Sequence, residues 1–157
     1  MRKSKQSWTD NLPLRLRFET PAQREYPRIK RTFEGHRQAA HVVYRLSVPV
    51  PEYESRAIEL RFRRTTTQPQ FVRIYADGPT DSPHRYAPHR QDKQRRSALC
   101  VWYPRDPPEL QWVPADGLLS LIDLTRIHLF KEAYWRETGE WLGPEAPHAQ
   151  VATGRQR

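Results

Sequence analysis

The chain has 157 residues and a formal net charge of +9 at pH 7, from 27 lysines and arginines against 18 aspartates and glutamates. This length suits one domain with a buried core and is too short for two catalytic domains. A single cysteine excludes an internal disulfide framework, and no stretch approaches the ~18 consecutive apolar residues of a membrane span, so we expect a cytoplasmic protein that spans no membrane.

Positive charge is concentrated in residues 1–37 and again from Arg85 to Arg105. Such a chain should be attracted to acidic partners, and nucleic acid is the first candidate for a basic protein. No stretch matches a zinc finger, an RNA-recognition strand motif or a basic zipper, however. We therefore interpret the excess charge as a solvated, arginine-rich surface, and nucleic-acid binding is the least favoured function.

The N-terminal region predicts a flexible end followed by a helix. Residues 1–12 are basic and polar, and we expect them to be flexible. From Leu12 to Phe18 the alternation of apolar and charged residues also fits a strand, but a helix would align four apolar side chains: Leu14, Phe18, Ala22 and Tyr26. We favour the helix, with Thr20 as the N-cap of a Thr20–Gln23 capping box and Pro27 ending it.

Four extended segments follow, each rich in β-branched and aromatic residues and bounded by turn residues. They are Ile29–Glu34, Val42–Val48, Ile58–Phe62 and Phe71–Ala76. Because the connections are short, a meander of antiparallel strands is the simplest topology. One face of this sheet is apolar and must be covered.

The remaining elements are an irregular segment and a long helix. Asp77–Ser97 contains proline and glycine without periodicity, and a loop of this length usually carries function or is disordered. A helix is predicted from Asp116, whose carboxylate can cap it, to a stop at Gly139. Its apolar stripe should cover the sheet, which gives an α+β domain over residues 13–148 and a flexible tail over 149–157.

The only cysteine, Cys100, lies in the run Leu99–Pro104 at the exit of the irregular segment. A lone thiol in this position suits a nucleophile that carries an acyl group, and we expect its sulfur at the lip of a shallow, solvent-reachable groove. The alternative is a buried small hydrophobic residue. We expect no cofactor and no metal, since only His84 and His89 lie close enough to suggest a metal-binding pair.

The order of these features resembles the ubiquitin-conjugating enzyme (UBC) fold. That family places a histidine turn before its active-site cysteine and a Trp-x-Pro turn after it. Here Pro83-His84-Arg85-Tyr86 stands at the histidine turn, Leu99-Cys100-Val101 at the cysteine and Trp112-Val113-Pro114 at the later turn. The closer resemblance is to the bacterial conjugating-enzyme-like proteins of cyclic-oligonucleotide anti-phage signalling (CBASS) operons, and its most specific part is Thr138–Gly143. The similarity covers about residues 20–148.

This resemblance implies a transferase in which Cys100 holds a thioester. Its acyl donor would be the C-terminal tail of an operon-encoded cGAS-like nucleotidyltransferase, and the acceptor a target protein or small-molecule amine in antiviral defence. The chain has no Gly-rich phosphate loop, so the donor must arrive already activated. Two alternatives remain, a catalytically inactive binding module of the same fold and a nucleic-acid-binding protein.

Several residues could assist Cys100. His84 could orient the loop or stabilise a tetrahedral intermediate, and His89 is the alternative histidine at the site. The family's oxyanion asparagine is missing, because the only asparagine is Asn11. The remaining candidates have distinct expected roles: Tyr86 and Tyr103 as hydroxyl donors, Arg95 or Arg96 to favour the thiolate, and Trp102 and Trp112 to wall the site.

Overall fold

A computed structural model describes residues 9–36, 40–64, 72–90, 92–103 and 105–143. Two α-helices pack on the apolar face of a four-stranded sheet. In chain order the elements are α1 (Leu12–Glu25), β1 (Lys30–Glu34), β2 (His41–Val48), β3 (Arg56–Arg63), β4 (Val72–Ala76) and α2 (Gly117–Thr138). The strands pair in the order β1-β2-β3-β4 and every pair is antiparallel. The predicted α+β class and meander are confirmed. Phe71, predicted as the start of the last strand, lies outside the described residues.

The period-2 pattern of the strands separates an apolar face from a charged one. On β2, Tyr44 and Leu46 are buried in the core, and Leu60 is opposite Tyr44 on β3. The other face has ion pairs such as Arg45 with Glu59. From α2, the buried side chains Leu118, Leu121, Ile122 and Leu129 join the same apolar cluster. The apolar stripe of α2 therefore covers the sheet, as the sequence predicted.

Helix α1 forms over the region where the spacing of apolar residues predicted it, but it begins before the predicted capping box at Thr20–Gln23. Asn11 is the N-cap, and its side-chain oxygen accepts a hydrogen bond from the Leu14 amide at 3.1 Å. The prediction of Thr20 as N-cap is wrong, because the cap at Asn11 starts a helix that continues through Thr20 and Pro21. The helix ends one residue before Tyr26, ahead of Pro27 as expected.

Residues before position 13 already make contacts with the rest of the domain. Thr9 is buried, and Asp10 forms an ion pair with Arg64 at 2.9 Å. These contacts attach the start of α1 to the end of β3, so the predicted domain boundary falls inside the helix. Residues 1–8 of the predicted flexible end, and the whole predicted tail 149–157, lie outside the described residues.

Helix α2 begins and ends where the sequence predicted, with Asp116 as its N-cap residue, but the Asp116 side chain does not cap it. Gly139 adopts a left-handed conformation with φ of 79°, and its amide donates to the Trp135 carbonyl at 2.7 Å. The Asp116 carboxylate, however, accepts the Val113 amide and closes the short 3₁₀ helix Pro114–Asp116, so it does not cap α2. Among the described residues, no helix is long and apolar enough to cross a membrane.

A buried carboxylate joins α1 to the sheet. Glu19 is buried, accepts a hydrogen bond from the Tyr44 hydroxyl at 2.7 Å and lies 3.5 Å from Arg31. Burial, and then the Glu19 carboxylate, raise the pKa of Tyr44 above its ordinary value, so this phenol remains a hydrogen-bond donor at all ordinary pH values.

We expect Tyr44→Phe to destabilise the protein by about 1–3 kcal/mol, because it removes a hydrogen bond from a buried charged acceptor. Tyr53→Phe is the matched control, since the Tyr53 hydroxyl donates to the exposed Glu137. Urea unfolding at neutral pH measures both. Equal losses of stability in the two variants would contradict the role assigned to Glu19.

Candidate functional site

The structure brings the Pro83–Tyr86 turn and the Leu99–Cys100 segment side by side. The Cys100 amide donates to the His84 carbonyl at 2.9 Å, and the Tyr86 amide donates to the Ala98 carbonyl at 2.8 Å. On its other side, the Leu99 amide donates to the Ile74 carbonyl of β4 at 2.8 Å. The two motifs that carried the resemblance are therefore hydrogen-bonded to each other at the β4 edge of the sheet.

Cys100 is more enclosed than the sequence predicted. The residue is only 5% exposed, so the expectation of an open, solvent-reachable sulfur is wrong. Its thiol donates to the Trp102 carbonyl, with 3.4 Å between Sγ and the oxygen. Burial raises the pKa of the thiol above its ordinary value, a hydrogen bond from Tyr86 opposes that shift, and the Asp106 carboxylate adds to it. Cys100 is thus mainly a protonated thiol at neutral pH.

Tyr86 is a polar side chain in contact with the Cys100 sulfur. It is 39% exposed, and its hydroxyl forms a hydrogen bond with Cys100. Burial and then Cys100 raise the pKa of this phenol, and Tyr103 contributes in the same direction. Tyr86 is therefore placed to donate a hydrogen bond to the thiol, and Tyr103 lies close enough to Tyr86 to raise its pKa.

Arginine does not supply the charge near the thiol. Arg96 forms ion pairs with Glu59 at 2.8 Å and with Asp92 at 3.3 Å, and its guanidinium lies 4.0 Å from the centre of the Tyr75 ring. Arg95 is exposed, in a turn where it adopts a φ of 53°. The expected role of either arginine in favouring the thiolate is wrong, since the charged group that influences Cys100 is Asp106.

The two candidate histidines occupy different environments. The side chain of His84 is buried, with its ring 3.9 Å from that of Trp141 between centroids, while its carbonyl contacts the Cys100 segment. His89 lies in an exposed turn where its carbonyl accepts the Asp92 amide. Of the two, His84 is the histidine whose main chain is hydrogen-bonded to Cys100. A catalytic role for its ring stays a prediction.

The two tryptophans form a connected wall beneath the site. Trp112 is buried, its indole donates to the Gly117 carbonyl at 2.9 Å, and it packs against Phe18 and Phe62. Trp102 stacks on Trp112 with ring centres 6.2 Å apart. Because Trp102 also provides the carbonyl that accepts the thiol's hydrogen bond, this stack fixes that carbonyl to the core.

A buried ion pair that sequence reasoning missed holds the irregular segment on α2. Arg85 contacts both carboxylate oxygens of Glu132 at 2.7 Å, and neither side chain is more than 4% exposed. Arg136 and His128, also on α2, contact the same carboxylate at 3.2 and 3.3 Å. Arg85 also donates to the carbonyls of Pro79 and Ser97, which lie near the two ends of the irregular segment. One guanidinium therefore connects both ends of the segment to α2.

Two signals could have revealed this pair. Glu132 lies on the apolar stripe of α2, three residues after Leu129, where a carboxylate is buried and therefore needs a partner. Arg85 lies inside the Pro83–Tyr86 motif, within the irregular segment. Burial would raise the pKa of Glu132, but hydrogen bonds from Arg85 and His128 outweigh it and hold the pKa at about 2.

Within the described ranges, no group of three or more histidine, cysteine, aspartate or glutamate side chains is arranged to hold a metal ion. The arrangement of Cys100 and Tyr86 is that of a thiol with a hydroxyl donor beside it. Its direct chemistry is nucleophilic attack by sulfur, with Tyr86 available to stabilise negative charge.

No protein-family model, curated protein or solved structure gives a significant match to the chain. The resemblance described above is therefore carried by its motifs and by their order.

Loss of the Glu132 carboxylate should destabilise the protein strongly at neutral pH. Glu132→Gln leaves Arg85 buried without its counter-charge, and we expect a cost of about 3–5 kcal/mol in urea unfolding. Glu140→Gln, at an exposed position, is the matched control and should change stability by less than about 0.5 kcal/mol.

The pH dependence follows from the lowered pKa of Glu132. Its contribution to stability, roughly 3 kcal/mol, is fully present above the ordinary carboxyl pKa of 4.5 and is lost as the pH falls toward 2. The wild type should therefore lose stability over this window more steeply than Glu132→Gln. Parallel pH profiles would show that the carboxylate is not charged in the folded state.

Proposed function

We propose that this chain is a cysteine-dependent acyl carrier and transferase of the ubiquitin-conjugating type, with Cys100 as its nucleophile. The observation that carries the proposal is the pairing of the Pro83–Tyr86 turn with the Leu99–Cys100 segment, which places a hydroxyl donor on the only sulfur nucleophile in the chain. The order of α1, a four-strand meander, the cysteine segment, a Trp-x-Pro turn and α2 also resembles the UBC fold.

The proposed substrate is an activated C-terminal acyl group, by resemblance the tail of a cGAS-like nucleotidyltransferase in a CBASS operon. In the first step the Cys100 sulfur attacks the carbonyl carbon of a donor thioester. The new bond is carbon to sulfur, the donor's carbon–sulfur bond breaks, and the Cys100 proton passes to the leaving thiolate. In the second step an acceptor amine attacks the same carbon, Cys100 leaves and regains a proton, and an amide forms.

The raised pKa of Cys100 suits a carrier. A thiol with a higher pKa is a stronger nucleophile once ionised and a poorer leaving group, so the acyl group is held more securely after transfer. The Tyr86 hydroxyl can donate a hydrogen bond to the sulfur before attack and to the carbonyl oxygen that becomes negative during attack. It thereby supplies the donor that the missing asparagine would provide.

Burial sets a condition on this chemistry. With Cys100 only 5% exposed, an acyl carbon can reach the sulfur only after a local opening of the chain around it. The same burial supports a second candidate function, a binding module of this fold in which Cys100 is a core residue. That alternative predicts that the thiol carries nothing and that its removal leaves function intact.

An acyl-transfer assay separates the two candidates. The probe is the C-terminal peptide of the proposed cGAS-like nucleotidyltransferase, prepared as a mercaptoethanesulfonate thioester. It is incubated with the full chain. We expect intact mass spectrometry to show one peptide added to the wild type and its removal by dithiothreitol. Cys100→Ala should gain nothing.

Tyr86→Phe refines the result. Because it keeps the ring and removes the hydroxyl, the rate of adduct formation should fall about tenfold or more, as for loss of one oxyanion donor. Tyr134→Phe, a tyrosine on α2, is the control. A wild type that forms no reductant-sensitive adduct, and that binds the peptide equally well as Cys100→Ser, would favour the binding module.

A further inference from the structure

The chain turns back on itself immediately after α2. Gly139, in its left-handed conformation, ends the helix, and the Glu140 amide then donates to the Thr138 hydroxyl at 3.1 Å. Gly143, with φ of 93°, lies so close to Lys131 that an added Cβ would be 3.3 Å from its Nζ. The segment Glu140–Gly143, here called the C-terminal hook, therefore lies back along α2.

The hook places Trp141 between two buried histidines from different parts of the chain. Its ring centre is 3.9 Å from that of His84, with 35° between the ring planes. On the other side it meets His128 of α2 edge-on, with 5.4 Å between centres and 62° between planes. Trp141 thus fills the space between α2 and the Pro83–Tyr86 turn.

This contact acts on the backbone that holds the thiol. His84 is the residue whose carbonyl accepts the Cys100 amide, and Tyr86, two residues later, bonds the sulfur. Arg85 between them is already fixed by Glu132, so its neighbour His84 has two anchors, an ion pair through Arg85 and an aromatic contact through its own ring. Aromatic contacts of this kind add stabilisation beyond the area that they bury.

We propose that Trp141 is a positioning residue for Cys100, acting through the His84 ring to hold the Pro83–Tyr86 turn against the cysteine segment. Its importance for acyl transfer rests on the proposed function of Cys100, whereas its effect on the thiol's enclosure does not. Without the indole, the turn opens more often, the thiol becomes easier to reach, and Tyr86 is no longer held at the sulfur.

Alkylation of the thiol tests this positioning without any acyl donor. Cys100 is the only cysteine, so the rate of iodoacetamide addition, followed by intact mass, reports on this site alone. We expect Trp141→Ala to raise the rate about tenfold, since the lost aromatic contact lowers the cost of local opening. Trp141→Phe retains an aromatic ring and should stay within about threefold of the wild type.

Tyr44→Phe is the control for a general loss of stability. It weakens the protein through the hydrogen bond between β2 and α1 and leaves the contacts of Trp141 and His84 in place, so its alkylation rate should match the wild type in native conditions. An equal rise in the alkylation rate in Tyr44→Phe and Trp141→Ala would overturn the positioning role. An unchanged rate in Trp141→Ala would also overturn it, and so would a Trp141→Phe variant that is alkylated as fast as Trp141→Ala.

The peptide thioester of the previous section provides the second arm. Trp141→Ala should form the adduct about tenfold more slowly despite its more reachable thiol, because Tyr86 is displaced from the sulfur. A wild type that forms no adduct would refute the acyl-carrier function and leave the alkylation result to decide the positioning role. Faster adduct formation in Trp141→Ala would refute the positioning role in catalysis.

Discussion

The buried ion pair between Arg85 and Glu132 is the contact on which the site depends. It joins the middle of an irregular segment to the inner face of α2, and the residues on either side of Arg85 are those that meet Cys100. Such a pair adds little net stability over apolar packing, because desolvating two charges offsets their attraction. Its effect is to specify one position for the Pro83–Tyr86 turn, since displacement of the turn separates the buried Arg85 guanidinium from its counter-charge.

A thiol held in this way is pre-positioned and unreactive at rest. Burial keeps Cys100 protonated, the Trp102 carbonyl accepts a hydrogen bond from the thiol, and the stack of Trp102 on Trp112 fixes that carbonyl to the core. In the proposed acyl transfer, attack would require a local opening around the buried sulfur and loss of the thiol proton. A donor that supplies binding energy can drive both, which would confine the chemistry to a docked partner.

The sequence predicted the scaffold better than the site. The alternation of apolar and polar residues predicted the strands of the meander, and the apolar stripe of α2 predicted that this helix packs on the sheet. Both features depend on local periodicity. Caps were less predictable, as Thr20 and Asp116 show, since several residues nearby can satisfy the same amides. For Cys100 the sequence left an open and a buried thiol as alternatives, and the buried one is found. The Arg85–Glu132 pair could not be predicted, because it depends on how a segment without periodicity packs against a helix residue 47 positions away in the chain.

Site-resolved amide hydrogen exchange tests most directly whether the ion pair fixes the cysteine segment. The amides of Tyr86 and Cys100 join this segment to the turn, and those of β2 report on the sheet. In Glu132→Gln the account predicts that Tyr86 and Cys100 lose protection relative to the wild type by a larger factor than the β2 amides do. Equal losses at both places, or unchanged protection at Tyr86 and Cys100, would contradict it.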